Sequence, residues 1–569
     1  MKLIRIYILI FCCVATLACD DDILNEVPKD VLSPENSFTN KEGFESAVAQ
    51  LYLDIRTDLY APANNWDNFD LFGLDVDLAT RMSGNNAYTE YFFWDTFNAD
   101  HSALDKWWPR FYKWIYNSNV IIDRAESDIV DWASEEEKNA IVAEARFMRA
   151  FSYKFLANMW GGVPLVIHET TDAKFDYERA SQEEVYQQCK EDLEFAVQWM
   201  KTVDELKPGR APRAAAYHLL AEINIGLKDY AGAIAAASAV INDPNYSLMT
   251  ARFGAWTDFT FNGYDYRGPQ MPWGDVYWDL FREGNFNWKD GNHEAIWNIQ
   301  FDPYLEGGGE ISNNFVLERW WSPDWWRTKD INGESNWLKD TLSGRPNNAD
   351  VISDYAGRQV WEFKDDWDND IRNSEFNIQR TYYWTNPASE FYGQPITKDN
   401  ASSADLSLWD KRLAPYVKKA AGTVHIGFGG VDSQSGDKHD NGLTYKDWYI
   451  MRLAETYLLR AEAYHLAGDN GNAANDINAV RSRAQATPVI AGEVSLDLII
   501  DERARELYME EFRLSTLTRM NKLQEQLMKY NPATVSNGYS LPPHLNKLPI
   551  PQSEIEKNKD KIMEQNPGY

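Results

Sequence analysis

The sequence contains few cysteines and few histidines. Among 569 residues there are four cysteines and eight histidines, and only Cys189 lies in the body of the chain. This count excludes a disulfide framework. The histidines are scattered, and no H-E-x-x-H or cysteine–histidine motif predicts a transition-metal site. We expect Cys189 to be a buried helix residue, because free cysteine packs as a small apolar side chain.

Positive charge is also scarce. The 56 lysines and arginines face 87 aspartates and glutamates, which gives a formal net charge of −31. Such a chain repels a phosphate backbone, so we expect no nucleic-acid partner. The sequence has no P-loop, and no carboxylate pair is marked out for glycoside hydrolysis among so many acidic residues. We therefore expect a protein that is not an enzyme and has no cofactor.

Long apolar runs are absent except at the start of the chain. Lys2 and Arg5 precede thirteen apolar or small residues, Ile6 to Ala18. This run is too short to cross a bilayer, but its length and its positive start are typical of a signal peptide. We predict that residues 1–18 are removed as a signal peptide.

Cys19 follows the apolar run directly and is itself followed by three aspartates. The arrangement resembles a bacterial lipoprotein signal, in which the cut leaves a lipidated cysteine as the first residue, although Leu17 stands one position later than the leucine of such signals. Ordinary secretion with an incidental cysteine is the alternative. We predict lipidation at Cys19 and a tether over residues 19–35, because acyl chains would hold the protein on a membrane while the aspartates stay in water.

Amphipathic helices are predicted for about the first 250 residues. Ser181 and Glu184 have the spacing of a capping box. Apolar residues then recur at helical spacing through Val185, Cys189 and Leu193. These signals predict a helix that begins after Ser181.

Two segments have the pattern of a tetratricopeptide helix pair: Leu219 to Ile241 and Arg460 to Val480. Alanines at the crossing points allow two antiparallel helices to approach closely, and Gly468 is expected to end the first helix of the second pair. The copies lie about 240 residues apart, and such repeats need stacked neighbours. We therefore expect other helix pairs to lie between them in space, with residues 144–166 and 496–520 as candidates.

The segment over about residues 251–444 has a different composition. Glycine, asparagine and aspartate are frequent, and a short strand-like piece, Ala295 to Phe301, and the turn signal Asn441-Gly442 replace helical periodicity. We predict a mainly α fold, in which tetratricopeptide-like helix pairs form a superhelical support over about residues 36–250 and 445–569. The irregular loop and short-strand insertion completes a single domain over residues 36–569.

Tryptophan is concentrated in this insertion. Thirteen of the 23 tryptophans lie between Trp256 and Trp384. Because irregular loops bury fewer side chains than helices do, we expect many of these indoles to face solvent and to form a binding surface.

Four sequence blocks resemble signature segments of the SusD/RagB family, and they occur in the family's order. They are Glu144 to Val166, Tyr449 to Tyr464, Asp501 to Arg513 and Leu548 to Tyr569. The resemblance implies a SusD-like superhelix in a Bacteroidetes lipoprotein of the outer membrane that faces the cell exterior. It also implies that the protein captures nutrients, usually glycans, and has a SusC-like TonB-dependent transporter as its partner.

Candidate ligand-binding residues are aromatic and polar side chains in loops, since sugar rings lie flat on aromatic rings and their hydroxyls bind polar groups. Packing within the loops or on the helical body is the alternative for each of them. The candidates are Arg81, Asn85, Tyr91, Trp94, Trp288, Trp320, Trp321 and Trp325, with Trp326 beside the last.

One acidic segment partly matches a calcium-binding loop. Asp366, Asp368 and Asp370 have the first three spacings of such a loop, but Ile371 and Asn377 stand where glycine and glutamate are needed. Bound calcium is therefore a weak hypothesis, and a solvated acidic turn is the alternative.

Together these features predict a surface lipoprotein that captures oligosaccharide or polysaccharide and delivers it to a transporter in the same membrane. Capture of oligopeptides by the same architecture is the first alternative. A helical-repeat scaffold that binds no small ligand is the second, and an enzyme is the third. Peptide capture would favour deep clefts with backbone donors, whereas sugar capture would favour accessible flat rings.

Overall fold

A computed structural model describes most of the chain from Phe38 onward. The described residues are 38–61, 70–81, 94–258, 273–302, 305, 308, 317, 321–336, 350–421 and 446–569. Outside them lie the predicted signal peptide, the whole predicted tether with Cys19, and the Asn441-Gly442 turn. No helix in the described part of the chain has the length and apolarity needed to cross a membrane.

The N-terminal part of the support consists of helices, several of which begin at capping side chains. Ser181 and Glu184 form the predicted capping box, and Asn40, Ser134 and Asp229 each accept a hydrogen bond from a first-turn backbone N–H. The helices are α1 (Lys41–Ile55), α2 (Leu104–Arg124), α3 (Glu135–Trp160), α4 (Gln182–Trp199), α5 (Arg213–Gly226) and α6 (Tyr230–Ile241).

The insertion contributes only short elements in its described residues. Its four-residue helices are α7 (Val276–Asp279), α8 (Asp354–Gly357), α9 (Ser403–Leu406) and α10 (Trp409–Arg412).

The C-terminal part of the support is helical again. As predicted, Gly468 lies just beyond the end of its first helix, with a φ of +84° that only glycine adopts readily. The helices are α11 (Leu453–Leu466), α12 (Asn470–Arg483), α13 (Leu496–Leu507), α14 (Arg513–Arg519), α15 (Leu523–Tyr530), α16 (Pro532–Asn537) and α17 (Gln552–Lys557).

The helix pairs pack side by side into one superhelix, which confirms the predicted fold class. Cys189 of α4 is buried against α3, as predicted. The expectation that other pairs separate the two tetratricopeptide-like copies is wrong, because α6 packs directly on α11. Ala233 and Leu459 share a buried cluster there, and the Arg460 guanidinium donates to the Ser238 hydroxyl over 2.8 Å. The long insertion lies between the copies in sequence only.

Three two-stranded antiparallel sheets involve the insertion, and two of them join it to the support. Strand β1 (Ala79–Arg81) pairs with β3 (Asp350–Ile352), and β2 (Ala295–Ile299), the predicted strand, pairs with β6 (Trp448–Arg452). The third sheet pairs β4 (Ile378–Gln379) with β5 (Tyr416–Val417) within the insertion.

A buried network of ion pairs joins the insertion to α13. Glu506 of α13 binds the guanidinium groups of Arg372, Arg452 and Arg483. Arg452 and Arg483 also bind Glu294 at the start of β2, each over 2.8 Å. Burial alone would raise the pKa of Glu506, but the three arginines outweigh it and hold this pKa well below its usual range.

Candidate functional site

The structure places the two described candidates of the 81–98 loop in the interior. Trp94 is buried, and its indole N–H donates to the carbonyl oxygen of Asp75 over 2.6 Å. Arg81 is buried and forms an ion pair with the Asp75 carboxylate over 3.2 Å. Both side chains therefore serve internal packing and pairing, and their contact with ligand stays a prediction. Asn85 and Tyr91 lie outside the described residues.

The predicted tryptophan surface is also corrected. Trp321 and Trp325 are both buried, the first edge-on to Tyr508 and the second in a small core with Tyr382 and Trp384. These rings serve as core because an insertion with only short helices and strands needs large side chains to fill its interior. Six of the eleven described tryptophans between Trp256 and Trp384 are buried.

Two further candidates are half-buried, Trp288 and Trp326. The Trp288 indole N–H donates to the carbonyl oxygen of Asn245 over 2.7 Å, and its ring packs against the main core. The Arg327 guanidinium covers the Trp326 ring at 4.8 Å. Both rings therefore have protein partners on at least one side. Trp320 lies outside the described residues.

An open basin of about 630 Å³ lies where the insertion meets the C-terminal helices. It is lined by Thr80 of β1, by β3 and by residues of α8, α10, α15 and α16. The side chains that give the basin its chemical character are Asp354, Arg358, Gln359, Trp367, Arg380, Trp409, Asp410, Lys529, Tyr530 and Ser536.

Aromatic rings form accessible platforms in this basin. The Trp367 side chain is 37% exposed, the most exposed of the described tryptophans, and Trp409 and Tyr530 are half-buried. Tyr530 stacks on the buried Tyr355 ring with a centroid distance of 3.9 Å. The hydroxyl of Tyr355 in turn donates to Asp501 over 2.7 Å, so the aromatic platform has a fixed base.

Polar groups surround the platforms. The Arg358 guanidinium forms two hydrogen bonds with Asp354, of 2.6 and 2.8 Å, and a third with Glu362 of 2.6 Å. Hydrogen bonds with Asp354 and Glu362 raise the pKa of Arg358, so its charge is permanent. The Gln359 amide donates to the same Asp354 carboxylate over 2.8 Å. Donors and acceptors thus lie in fixed positions at the edge of the basin.

Arg380 lies between the platforms and the polar edge. Its guanidinium covers the Trp367 ring at 4.6 Å. Its Nη2 donates to the Asn373 side-chain oxygen over 2.6 Å and to the Gly357 carbonyl oxygen over 2.8 Å. Burial lowers the pKa of Arg380 to about 10, so the side chain stays protonated at neutral pH.

Two family models match the chain. The model described as "SusD family" matches residues 254–569, and the model described as "Starch-binding associating with outer membrane" matches residues 26–225.

The chain belongs to the SusD family. It is 23% identical to SusD-like protein P25 of Formosa agariphila over 98% of this chain and 97% of that protein. A stretch of 129 residues, 22% of either chain, is 41% identical to the starch-binding protein SusD of Bacteroides thetaiotaomicron. Among solved structures, a laminarin binding SusD-like protein superposes with a TM-score of 0.63 at 22% identity, over 93% of this chain and 100% of that one. The last likeness shows that the SusD fold is shared.

The basin of this SusD family member was missed by sequence reasoning, although one signal was available. Trp367 lies inside the acidic segment D-D-W-D-N-D. An aromatic residue within such a polar turn is favoured to be exposed. Trp409 and Tyr530 carry no comparable local signal, and they meet Trp367 only in the folded chain.

Two carboxylates of the acidic segment bind arginines in the structure. Asp366 binds Arg481 over 2.6 Å, Asp370 binds Arg372 over 2.6 Å, and Asp368 is exposed. The first and third carboxylates therefore serve different arginines. Across the described residues, no three acidic, histidine or cysteine side chains are placed to hold a metal ion.

A second cavity of about 500 Å³ lies between α2, residues 164–177 and the C-terminal segment. Its wall is mostly aromatic and aliphatic, and includes Tyr116 and Phe175, which are 41% and 38% exposed. Its polar side chains, which include Lys174, Glu554 and Asn558, are outnumbered by aromatic and aliphatic ones, whereas the first basin has more polar side chains and is the better candidate for a polar ligand.

Proposed function

We propose that this SusD family protein binds a saccharide in the basin around Trp367, Trp409 and Tyr530. The observation that carries the proposal is the combination of accessible rings with fixed polar groups at their edges. Sugar rings present flat C–H faces that pack on aromatic rings, and their hydroxyls need donors and acceptors around that contact. Arg358, Gln359 and Asp354 are placed to supply both.

The shape of the basin supports saccharide over peptide as the ligand. The basin is open, and its lining includes the rings of Trp367, Trp409 and Tyr530 together with polar side chains. An extended peptide is usually recognised by backbone hydrogen bonds along an edge or by deep side-chain pockets. An open aromatic floor instead suits one or more units of a longer chain that continues into solvent.

The relatives support the same choice. One is named for starch binding and one for laminarin binding, and both names refer to glucose polymers. Identity to the second is only 22%, so it supports a class of ligand for this chain and no particular sugar.

The proposed cellular role is the capture of saccharide at the outer membrane, on the side that faces the cell exterior. A lipid on Cys19 is the proposed anchor. The proposed partner is a SusC-like TonB-dependent transporter, which receives the ligand intact. The apolar N-terminal run before Cys19 and the family model described as associating with the outer membrane support this role. No chemical step is part of the proposal, since the role of the protein is to raise the local concentration of ligand.

Isothermal titration of the purified full chain against a panel of neutral and charged oligosaccharides tests the binding proposal. We expect the binding saccharide to lose about tenfold or more in affinity with Trp367→Ala or Trp409→Ala, since aromatic anchors of an interface are worth about 2 kcal/mol or more. Trp199→Ala is the matched control, because Trp199 is half-buried on α4 and lies outside the basin.

Thermal unfolding of each variant shows whether the fold is intact. If no saccharide in the panel binds, the proposal fails, and binding of peptides instead would establish the oligopeptide alternative. Equal loss in Trp199→Ala would show that the effect is structural and that the basin is not the site.

A further inference from the structure

Arg380 differs from the other arginine of the basin in having no carboxylate partner among the described residues. Arg358 is fully paired with Asp354 and Glu362, as described above. The acceptors of Arg380 are all neutral oxygens, those of Asn373 and Gly357. The charge of the Glu375 carboxylate opposes the lowering of the Arg380 pKa, but no ion pair joins the two side chains in the described part of the chain.

The three nitrogen atoms of the Arg380 guanidinium differ in the hydrogen bonds that they donate. Nη2 donates two hydrogen bonds, of 2.6 and 2.8 Å. Nε is buried and has no acceptor in the described part of the chain. Nη1 has a single long contact of 3.4 Å with the Asn373 carbonyl oxygen. Nη1 is therefore the atom with capacity left for a ligand, at the end of a charged group held in place by Trp367.

The local charge of the basin also differs from that of the whole protein. The lining contains the cations Arg358, Arg380 and Lys529 against the carboxylates Asp354 and Asp410. Most of the acidic residues behind the net charge of −31 lie elsewhere on the surface. Their effect on the basin is weak, because salt screens exposed charges beyond about 8 Å at physiological ionic strength. With Glu362, which pairs with Arg358, these three cations are balanced by three carboxylates, so a ligand that reaches the basin meets far less negative charge than the whole protein carries.

We propose that the basin selects an anionic saccharide, whose carboxylate or sulfate group binds Arg380 while its ring packs on the neighbouring aromatic platform. This inference rests on the proposed saccharide-binding function and names its substrate class. Hydrogen bonds between a guanidinium and an anion are roughly twice as strong as neutral ones. The cation is already ordered by the Trp367 ring and by Asn373, so little further ordering is needed on binding.

Isothermal titration of the full chain with charged and neutral probes of matched length tests the inference. The probes are tetragalacturonate for the carboxylate, a sulfated carrageenan tetrasaccharide for the sulfate, and the neutral tetrasaccharides of maltose, laminarin and xylan type. We expect at least one anionic probe to bind more tightly than the neutral ones, and its affinity to fall about 10- to 100-fold in Arg380→Gln. Arg380→Lys, which keeps the charge, should restore part of the affinity.

Arg146→Gln is the matched control. Arg146 also covers an aromatic ring, that of Phe195 at 4.3 Å, and burial lowers its pKa as well, but it lies outside the basin. We expect this variant to bind the anionic probe as the unchanged protein does. Comparison of the two anionic probes identifies which anionic group the site prefers.

The possible failures can be told apart. Binding of neutral probes alone overturns the inference and leaves the proposed function intact. Binding of an anionic probe that Arg380→Gln does not weaken overturns the role of Arg380. Absence of binding for every saccharide overturns both the inference and the proposed function.

Discussion

Replacing Glu506 with glutamine should destabilise the protein strongly without changing its shape. The Glu506 carboxylate is fully buried and binds three guanidinium groups, at 2.7 Å to Arg452, at 3.0 Å to Arg372 and more closely to Arg483. Glutamine has the same size but no charge, and its amide N–H₂ would face one of these cations. The substitution therefore leaves positive charge uncompensated in the interior, where water cannot solvate it.

The size of the destabilisation depends on which carboxylates each arginine still binds in the variant. Arg452 and Arg483 keep Glu294, each over 2.8 Å, and Arg372 keeps Asp370 over 2.6 Å. Breaking a buried ion pair typically costs about 3–5 kcal/mol, and the retained partners favour the lower end of that range. For a folded body of more than 400 residues the unfolding entropy is about 1 kcal/mol per kelvin, so Tm should fall by about 3 °C.

Differential scanning calorimetry at neutral pH measures this change. Glu126→Gln is the control, since Glu126 pairs with Lys138 over 3.1 Å at an exposed site and such pairs contribute about 0–1 kcal/mol. A Tm shift for Glu506→Gln no larger than that of the control would refute the reasoning. It would mean that the remaining carboxylates already neutralise the network.

Two further predictions concern Asp447 and Cys19. Burial raises the pKa of Asp447 to about 7, above the unfolded value near 4, despite hydrogen bonds from the Phe301 backbone N–H and Asn287. Its contribution to stability is therefore fully present below pH 4 and is lost as pH rises through 7. At each pH the Tm of Asp447→Asn is compared with that of the unchanged protein, and we expect this difference to be more favourable to the variant at pH 8 than at pH 5. Equal differences at the two pH values would contradict this. Cys19→Ser should abolish metabolic labelling by a fatty-acid analogue and release the protein from membranes, and labelling that persists would disprove the lipid anchor.

Local sequence signals predicted the helices well because those signals act within one or two turns. The capping box of Ser181 and Glu184 and the φ of +84° at Gly468 depend only on near neighbours. The contact between α6 and α11 depends instead on how 200 intervening residues are routed. A repeat pattern states that a helix pair needs a neighbour, but it does not state which one.

The burial of the tryptophans could not be predicted for a related reason. Trp325 and Trp367 each directly follow an aspartate in sequence, yet the first is buried beside Tyr382 and the second is 37% exposed. Whether an indole is covered depends on residues far away in the chain. For Trp325 the covering side chains come from about 60 and 90 residues further on, Tyr382 and Tyr416 among them.

The basin illustrates how the support and the insertion depend on each other. Its rings come from the insertion through Trp367 and Trp409, and from the C-terminal helices through Tyr530. The segment that carries Trp367 is held on both sides by buried arginines, Arg481 to Asp366 and Arg372 to Asp370, and both arginines also bind Glu502 of α13. Since irregular loops have few backbone hydrogen bonds of their own, these charged contacts supply the rigidity that a binding platform needs. The ion-pair network thus fixes the position of an exposed ring relative to helices more than 100 residues away in sequence.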